Sequence, residues 1–170
     1  MNRAKLTLVF VLASILGASS LMHARTCSPE GTWYGGAEGT SKYLFTIVPL
    51  SGNTYSVRAE GAYTLDGFGV VRETTYHGKM VKVGARSYRY RLMELLVWGD
   101  TGVPPADGAL EIDVTEGILQ LQGCNEATYS IYLFAYYLGW GKEPFVDPPD
   151  GYLLPPGLTI DGTMRRLAMD

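Results

Sequence analysis

The chain is poor in the residues that carry chemistry. Its 170 residues hold two histidines and two cysteines, and one histidine, His23, falls within an apolar leader. The other, His77, stands beside Gly78 in what reads as a turn. A hydrolase triad needs a base oriented by a carboxylate, with a nucleophile in reach. Nothing near His77 offers this, and there is no Gly-x-Ser-x-Gly elbow. One histidine and two cysteines cannot build a zinc site. Phosphate loops and dinucleotide fingerprints are absent, so no cofactor is expected. Basic runs are missing too: 14 Lys and Arg stand against 17 Asp and Glu. This argues against nucleic acid, whose phosphates need clustered cations, and against docking on anionic lipid. No stretch of helical length carries an apolar i, i+3, i+4 stripe.

The leader is the one long apolar run. Arg3 and Lys5 precede an eleven-residue apolar stretch, 6–16, and then Gly17, Ala18, Ser19 and Ser20. That is the pattern of a secretory signal peptide. Cleavage after Ser20 or after Ala24 fits. An uncleaved anchor is the alternative, but the run falls short of the ~20 residues a membrane-spanning helix needs. Residues 1–24 are read as signal peptide and 25–170 as one domain, exported to periplasm or medium without a membrane span. Cys27 follows Ala24-Arg25-Thr26, which is no lipobox. Losing Arg3 and Lys5 but no acid takes the formal charge from −3 to −5. In an oxidising compartment Cys27 and Cys124 are expected to pair, the alternative being two free thiols. A bridge closing so long a loop contributes up to about 4.7 kcal/mol.

Strand signals fill the rest. Tyr55, Val57 and Ala59 alternate with Ser56, Arg58 and Glu60; Tyr88, Tyr90 and Leu92 alternate with Arg89 and Arg91. Leu110, Ile112 and Val114 alternate with Glu111, Asp113 and Thr115. Period-two patterning marks a sheet with one buried face. Ser51-Gly52-Asn53 and Thr115-Glu116-Gly117 read as hairpin turns. Eight to ten short strands without helix predict an antiparallel up-and-down β-barrel, which leaves no open edge. Two long connections, 99–107 and 139–157, stand out as functional candidates.

The run 129–138 is apolar on both faces. Strict alternation puts Tyr129, Ile131, Leu133, Ala135 and Tyr137 on one side, with Tyr132, Phe134 and Tyr136 on the other. The outer aromatics are either covered by the following loop, with Trp140 and Phe145 folding back, or exposed as a partner surface. Asp147 and Asp150 could form a weak calcium site, but they lack the alternating spacing of a calcium loop; the plainer reading is a Pro-rich turn. No other metal ligands suggest themselves.

Gly31-Thr32-Trp33, the up-and-down strand order and the closing 162–167 segment, Gly-Thr-Met-Arg-Arg-Leu, resemble the lipocalin, or calycin, superfamily. The resemblance implies that the Gly-x-Trp of the first strand packs near an arginine of the last and closes one end of the barrel. Leu158, Ile160, Gly162, Met164 and Arg166 share the inward face by alternation, which pairs Arg166 rather than Arg165 with Trp33. The usual Thr-Asp-Tyr motif and a C-terminal helix are missing. The chain also resembles exported bacterial lipocalin-like proteins that open Gly-Thr-Trp, from which no activity carries over.

Three functions are open at this point. The first is a binding protein for a small hydrophobic or amphipathic ligand, held in a cup lined by Tyr55, Val57, Tyr88, Tyr90, Leu92, Trp98 and Ile131. The two long loops would form its mouth. The second is an extracytoplasmic interaction or inhibitor protein with a filled barrel and an aromatic surface. The third, a calycin-type isomerase or cyclase, lacks any nameable acid/base pair. An apolar cavity would favour the first; a solid barrel would favour the second.

Overall fold

The computed structural model describes residues 27–37, 41–65, 70–97, 110–139 and 141–168, with backbone alone at 63–65, 70–72 and 97. The predicted leader, Trp98, Trp140 and the 99–107 connection lie outside the described residues. Among the described residues nine strands form: β1 Gly31–Gly36, β2 Ser41–Ser51, β3 Thr54–Leu65, β4 Val70–Lys82, β5 Ser87–Val97, β6 Leu110–Leu121, β7 Glu126–Leu138, β8 Gly151–Leu154 and β9 Ile160–Arg166. The described residues contain no helix.

Consecutive antiparallel pairings run from β6 back to β1, then to β9, β7 and β8; β6 also pairs with β7 and so closes the sheet. The barrel has eight positions, because β8 and β9 share one side of β7. β9 pairs with its 126–131 half and β8 with 134–136. They form one barrel strand interrupted at Pro155-Pro156-Gly157, where proline can supply no ladder N–H. The architecture is the all-β closed antiparallel barrel that the alternating pattern predicts.

Two expected turns are not turns. Residues 110–121 form one continuous strand, without a hairpin at Thr115-Glu116-Gly117. Arg91 and Tyr132 hold the Glu116 carboxylate along the ladder, Arg91 Nε at 2.7 Å. Gly117 serves close packing: a Cβ there would lie 2.3 Å from both the Tyr90 hydroxyl and the Ser130 carbonyl. His77 and Gly78 likewise sit mid-strand in β4, with His77 exposed. At Gly78 a Cβ would meet the Arg91 carbonyl at 2.0 Å.

Face assignments hold on β3 and β5, where Val57, Ala59, Tyr88, Tyr90 and Leu92 are buried inside. They reverse on β6. Thr115 opposes Leu92 and Asp113 opposes Glu94, so Glu111, Asp113 and Thr115 take the inner face while Ile112 and Val114 turn outward. On β7 alternation breaks at Tyr132. Gly117 opposes Ile131 but Glu116 opposes Leu133, a β-bulge with one extra residue. Beyond it Phe134 points inward, and Leu133, Ala135 and Tyr137 point outward. The bulge corrects the strict alternation expected over 129–137.

The outward apolar row is not left bare. Residues 141–150 fold down the outer wall, and Phe145 packs with Val114, Ala135 and Tyr137 as a second small core. The Tyr137 hydroxyl accepts from Phe145 N–H at 3.1 Å and donates to the Asp147 carbonyl at 3.2 Å. Phe145 adopts φ of 68°, a left-handed conformation costly for a bulky residue. There its ring lies 5.3 Å from the Arg91 guanidinium. The 139–157 segment is therefore a wall cover plus strand β8, not a rim of the barrel mouth.

Candidate functional site

The barrel interior is packed by its own side chains. Tyr88, Tyr90, Leu92, Val57 and Ile131 are buried within it. Tyr55 is partly buried near one end, edge-on to Tyr88 at 5.7 Å. Phe45 stands edge-on to Tyr90 at 6.0 Å, and Tyr76 edge-on to Phe134 at 6.3 Å. Such geometry suits the ring quadrupoles and leaves little space. Between Tyr43, Tyr76, Tyr90, Leu92 and Phe134 remains a cavity of about 20 Å³. That is water-sized; ligand pockets measure roughly 300–1,000 Å³. Burial pushes the Tyr90 phenol well above its ordinary range, and nearby Tyr129 and Tyr43 add to this. The residues assigned to a ligand cup thus come together on the inner face, apart from Trp98 outside the described residues; Tyr90, Leu92 and Ile131 line the small cavity.

One end of the barrel is stapled. Cys27 and Cys124 form a disulfide across it. Trp33 pairs with Arg166 across β1 and β9, and the guanidinium lies 4.7 Å from the indole ring. The indole N–H donates to the Pro29 carbonyl at 2.7 Å, and Arg166 Nη2 donates to the Ser28 carbonyl. Arg165 is exposed. These contacts fasten the residues before β1 over the barrel end.

Toward the other end the inner face changes character. Thr74, Glu94, Glu111, Asp113 and Thr115 are all buried there. Alternation gives no sign of this shift, because it sets Glu111, Asp113 and Thr115 opposite an apolar Leu110-Ile112-Val114 row. Here the wall also opens. The β4–β5 register runs from Lys82↔Tyr88 to His77↔Met93 and stops, although β4 continues back to Val70 and β5 on to Val97. Glu94 bridges the opening. Its Oε1 accepts from the Thr75 backbone N–H and its Oε2 from the Thr74 hydroxyl, both at 2.8 Å. A side-chain carboxylate substitutes for the strand carbonyl that Thr75 would otherwise meet.

The opening adjoins a groove of about 570 Å³ on the outer wall. Register aligns Tyr34, Leu44, Glu60 and Thr75 across β1 to β4, and the groove follows this row to Glu94. Lys42, Ala62 and Glu73 form its other flank. Tyr34 is 49% exposed, an aromatic that packs into no core. Arg58 and Glu60 form an ion pair beside it. A smaller depression of about 310 Å³ between β6, β7 and β9, around Ser130 and Asp161, exposes no aromatic and borders no unpaired strand.

Asp147 and Asp150 are held by bonds within the 139–150 segment and to the end of β7. Asp150 accepts from Leu138 N–H at 2.8 Å and pairs with Lys142, which together hold its carboxyl below the usual range. Asp147 accepts from Glu143 N–H at 2.7 Å. Among the described residues no group of three His, Cys, Asp or Glu could hold a metal.

No protein-family model, curated protein or solved structure matches the chain. Its class is defined by the fold: a disulfide-stapled, closed antiparallel β-barrel of eight positions.

Proposed function

We propose that this is an exported, lipocalin-like barrel that acts by binding a protein partner on its outer wall. The observation that carries the reading is the packed interior: among the described residues the cavity between Tyr43, Tyr76, Tyr90 and Phe134 holds about 20 Å³, where a ligand carrier would need more than tenfold that. The surface feature that supports it is the Tyr34–Leu44 groove, since exposed aromatics and apolar patches mark interaction sites. Export is supported by the leader pattern and is compatible with the Cys27–Cys124 disulfide. The lipocalin likeness draws on the Trp33–Arg166 closure and the up-and-down order. An aromatic interior behind a wall bearing Arg58, Glu60, Arg89 and Arg91 is the reverse of a lipid-embedded barrel.

Photo-crosslinking in the producing cell tests the reading. A photoreactive residue at Tyr34 should give a discrete adduct with another protein; the same residue at Gln120, on β6 across the ring of strands from the β1–β4 groove, should not. Equal labelling at both positions, or none at Tyr34, would contradict it.

A further inference from the structure

The β4–β5 opening presents two unpaired strand edges facing each other, whereas the unpaired outer edge of β8 faces no second strand edge among the described residues. Thr75 N–H points into it, as its bond to Glu94 shows. By period two, Glu73 points the same way on β4, and Leu95 and Val97 do so on β5 beyond the last paired residue, Met93. No strand among the described residues pairs with either edge there. Exposed edges are ready templates for strand addition. Natural proteins usually guard them with charge or proline; here Glu73 and Glu94 stand at the opening, but the β5 edge also carries Leu95 at 69% exposure.

We infer that this opening receives an extended peptide segment of a partner, which adds as a strand between β4 and β5. The inference rests on the protein-binding reading and names the kind of partner. A second copy of the barrel fits less well. Both edges belong to one wall, and a rigid barrel cannot bring its own closed sheet between them, whereas a single extended chain can. The described edges run for about four residues on β5 and seven on β4, a length typical of short added strands. Glu94 marks how entry works: its carboxylate occupies the Thr75 donor and is displaced when a peptide carbonyl arrives. Charge sets the composition. Glu73 and Glu94 flank the opening and Asp113 lies behind Glu94 on the inner face, while Lys42 stands on the groove's other flank. The segment should carry Lys or Arg at inward-facing positions and apolar side chains at the alternate ones, beside Met93 and Leu95.

A phage-displayed library of random twelve-residue peptides, selected against the intact disulfide-bonded protein, provides the probe. Enriched peptides should alternate apolar and basic residues. The strongest, made synthetically, should slow hydrogen exchange at the Leu95 and Thr75 amides. Glu94→Gln keeps an acceptor for Thr75 but loses the charge, and should weaken binding about tenfold. Leu95→Pro removes the edge donor at a position where proline is tolerated, and should abolish the peptide's protection of the Thr75 amide. Failure to enrich, or binding that leaves both amides unchanged, overturns the inference. So does protection of Leu95 that rises with protein concentration without peptide, which would assign the opening to a second copy. An adduct at Tyr34 with no effect at these amides would leave the interaction reading standing and this inference fallen.

Discussion

Arg165 and Arg166 are adjacent, identical in chemistry and unequal in consequence. Arg166 faces the Trp33 indole and reaches the Ser28 carbonyl, while Arg165 meets solvent. Arg166→Ala should therefore cost about 1–3 kcal/mol by denaturant unfolding, and Arg165→Ala no more than about 0.5. Trp33→Ala should cost about 3–5 kcal/mol. Comparable losses at the two arginines would refute the closure. Gly117 makes an equally local case. Gly117→Ala drives a methyl into the Tyr90 hydroxyl and the Ser130 backbone, and should cost at least about 1–3 kcal/mol. The tyrosines supply a pH test. Burial raises the phenols of Tyr88, Tyr90 and Tyr129 above their ordinary value of 10.0. Tyr132 is pushed up to about 12 by burial, by its bond to Glu116 and by that carboxylate's charge. Such groups stay protonated when folded, while the unfolded chain ionises near 10.0. Stability is therefore intact below that pH and falls as pH rises toward about 12. Phenolate absorbance of the folded protein should lag a free-tyrosine titration, and Tyr132→Phe should flatten the alkaline loss of stability. Simultaneous ionisation of all tyrosines in a still-folded protein would contradict this.

At the scale of the element, what was legible depended on whether a strand had one wet face. β3 and the 87–92 part of β5 did: Ser56, Arg58, Glu60, Arg89 and Arg91 face outward, and alternation read them correctly; beyond Leu92, Glu94 takes the inner face. The 112–114 part of β6 and the 133–137 part of β7 are covered on both sides, by the barrel core and by Phe145 of the 141–150 segment, so alternation there carries no inside or outside. The Leu110-Ile112-Val114 row looked like the core face and is the covered outer one. The bulge at Tyr132 has no strong signature in single residues; it becomes visible only through the pairing of β6 with β7. The β4–β5 opening was equally hidden, because it is a property of two strands that diverge, not of either alone. The wall cover makes its own prediction. Tyr137→Phe keeps the ring but deletes the two bonds tying Phe145 N–H and the Asp147 carbonyl. Limited proteolysis within 139–150 should speed up, while thermal unfolding shifts by only a few degrees, as expected for about 1–2 kcal/mol. An unchanged cleavage rate would mean the segment is held by packing alone.

For the whole molecule, the covalent staple and the packed interior address different questions. The disulfide joins residues 97 apart, and Cys124→Ser should lower stability by about 2–5 kcal/mol without exposing any new binding site. The packed interior bears on function. Apart from Trp98, outside the described residues, the residues named for a cup lie on the inner face, and sequence alone cannot say whether they line the lumen or fill it, because inward tyrosines satisfy both descriptions. The distinction lies in volume, set by ring-against-ring contacts such as Phe45–Tyr90 and Tyr76–Phe134. Native mass spectrometry of the protein purified from its producing cells, followed by titration with an environment-sensitive fatty-acid probe, tests this most directly. The account predicts the bare disulfide-bonded chain and no saturable probe binding. A stoichiometric apolar adduct, or saturable binding weakened by Tyr90→Trp, would show that the barrel opens to a ligand and would contradict it.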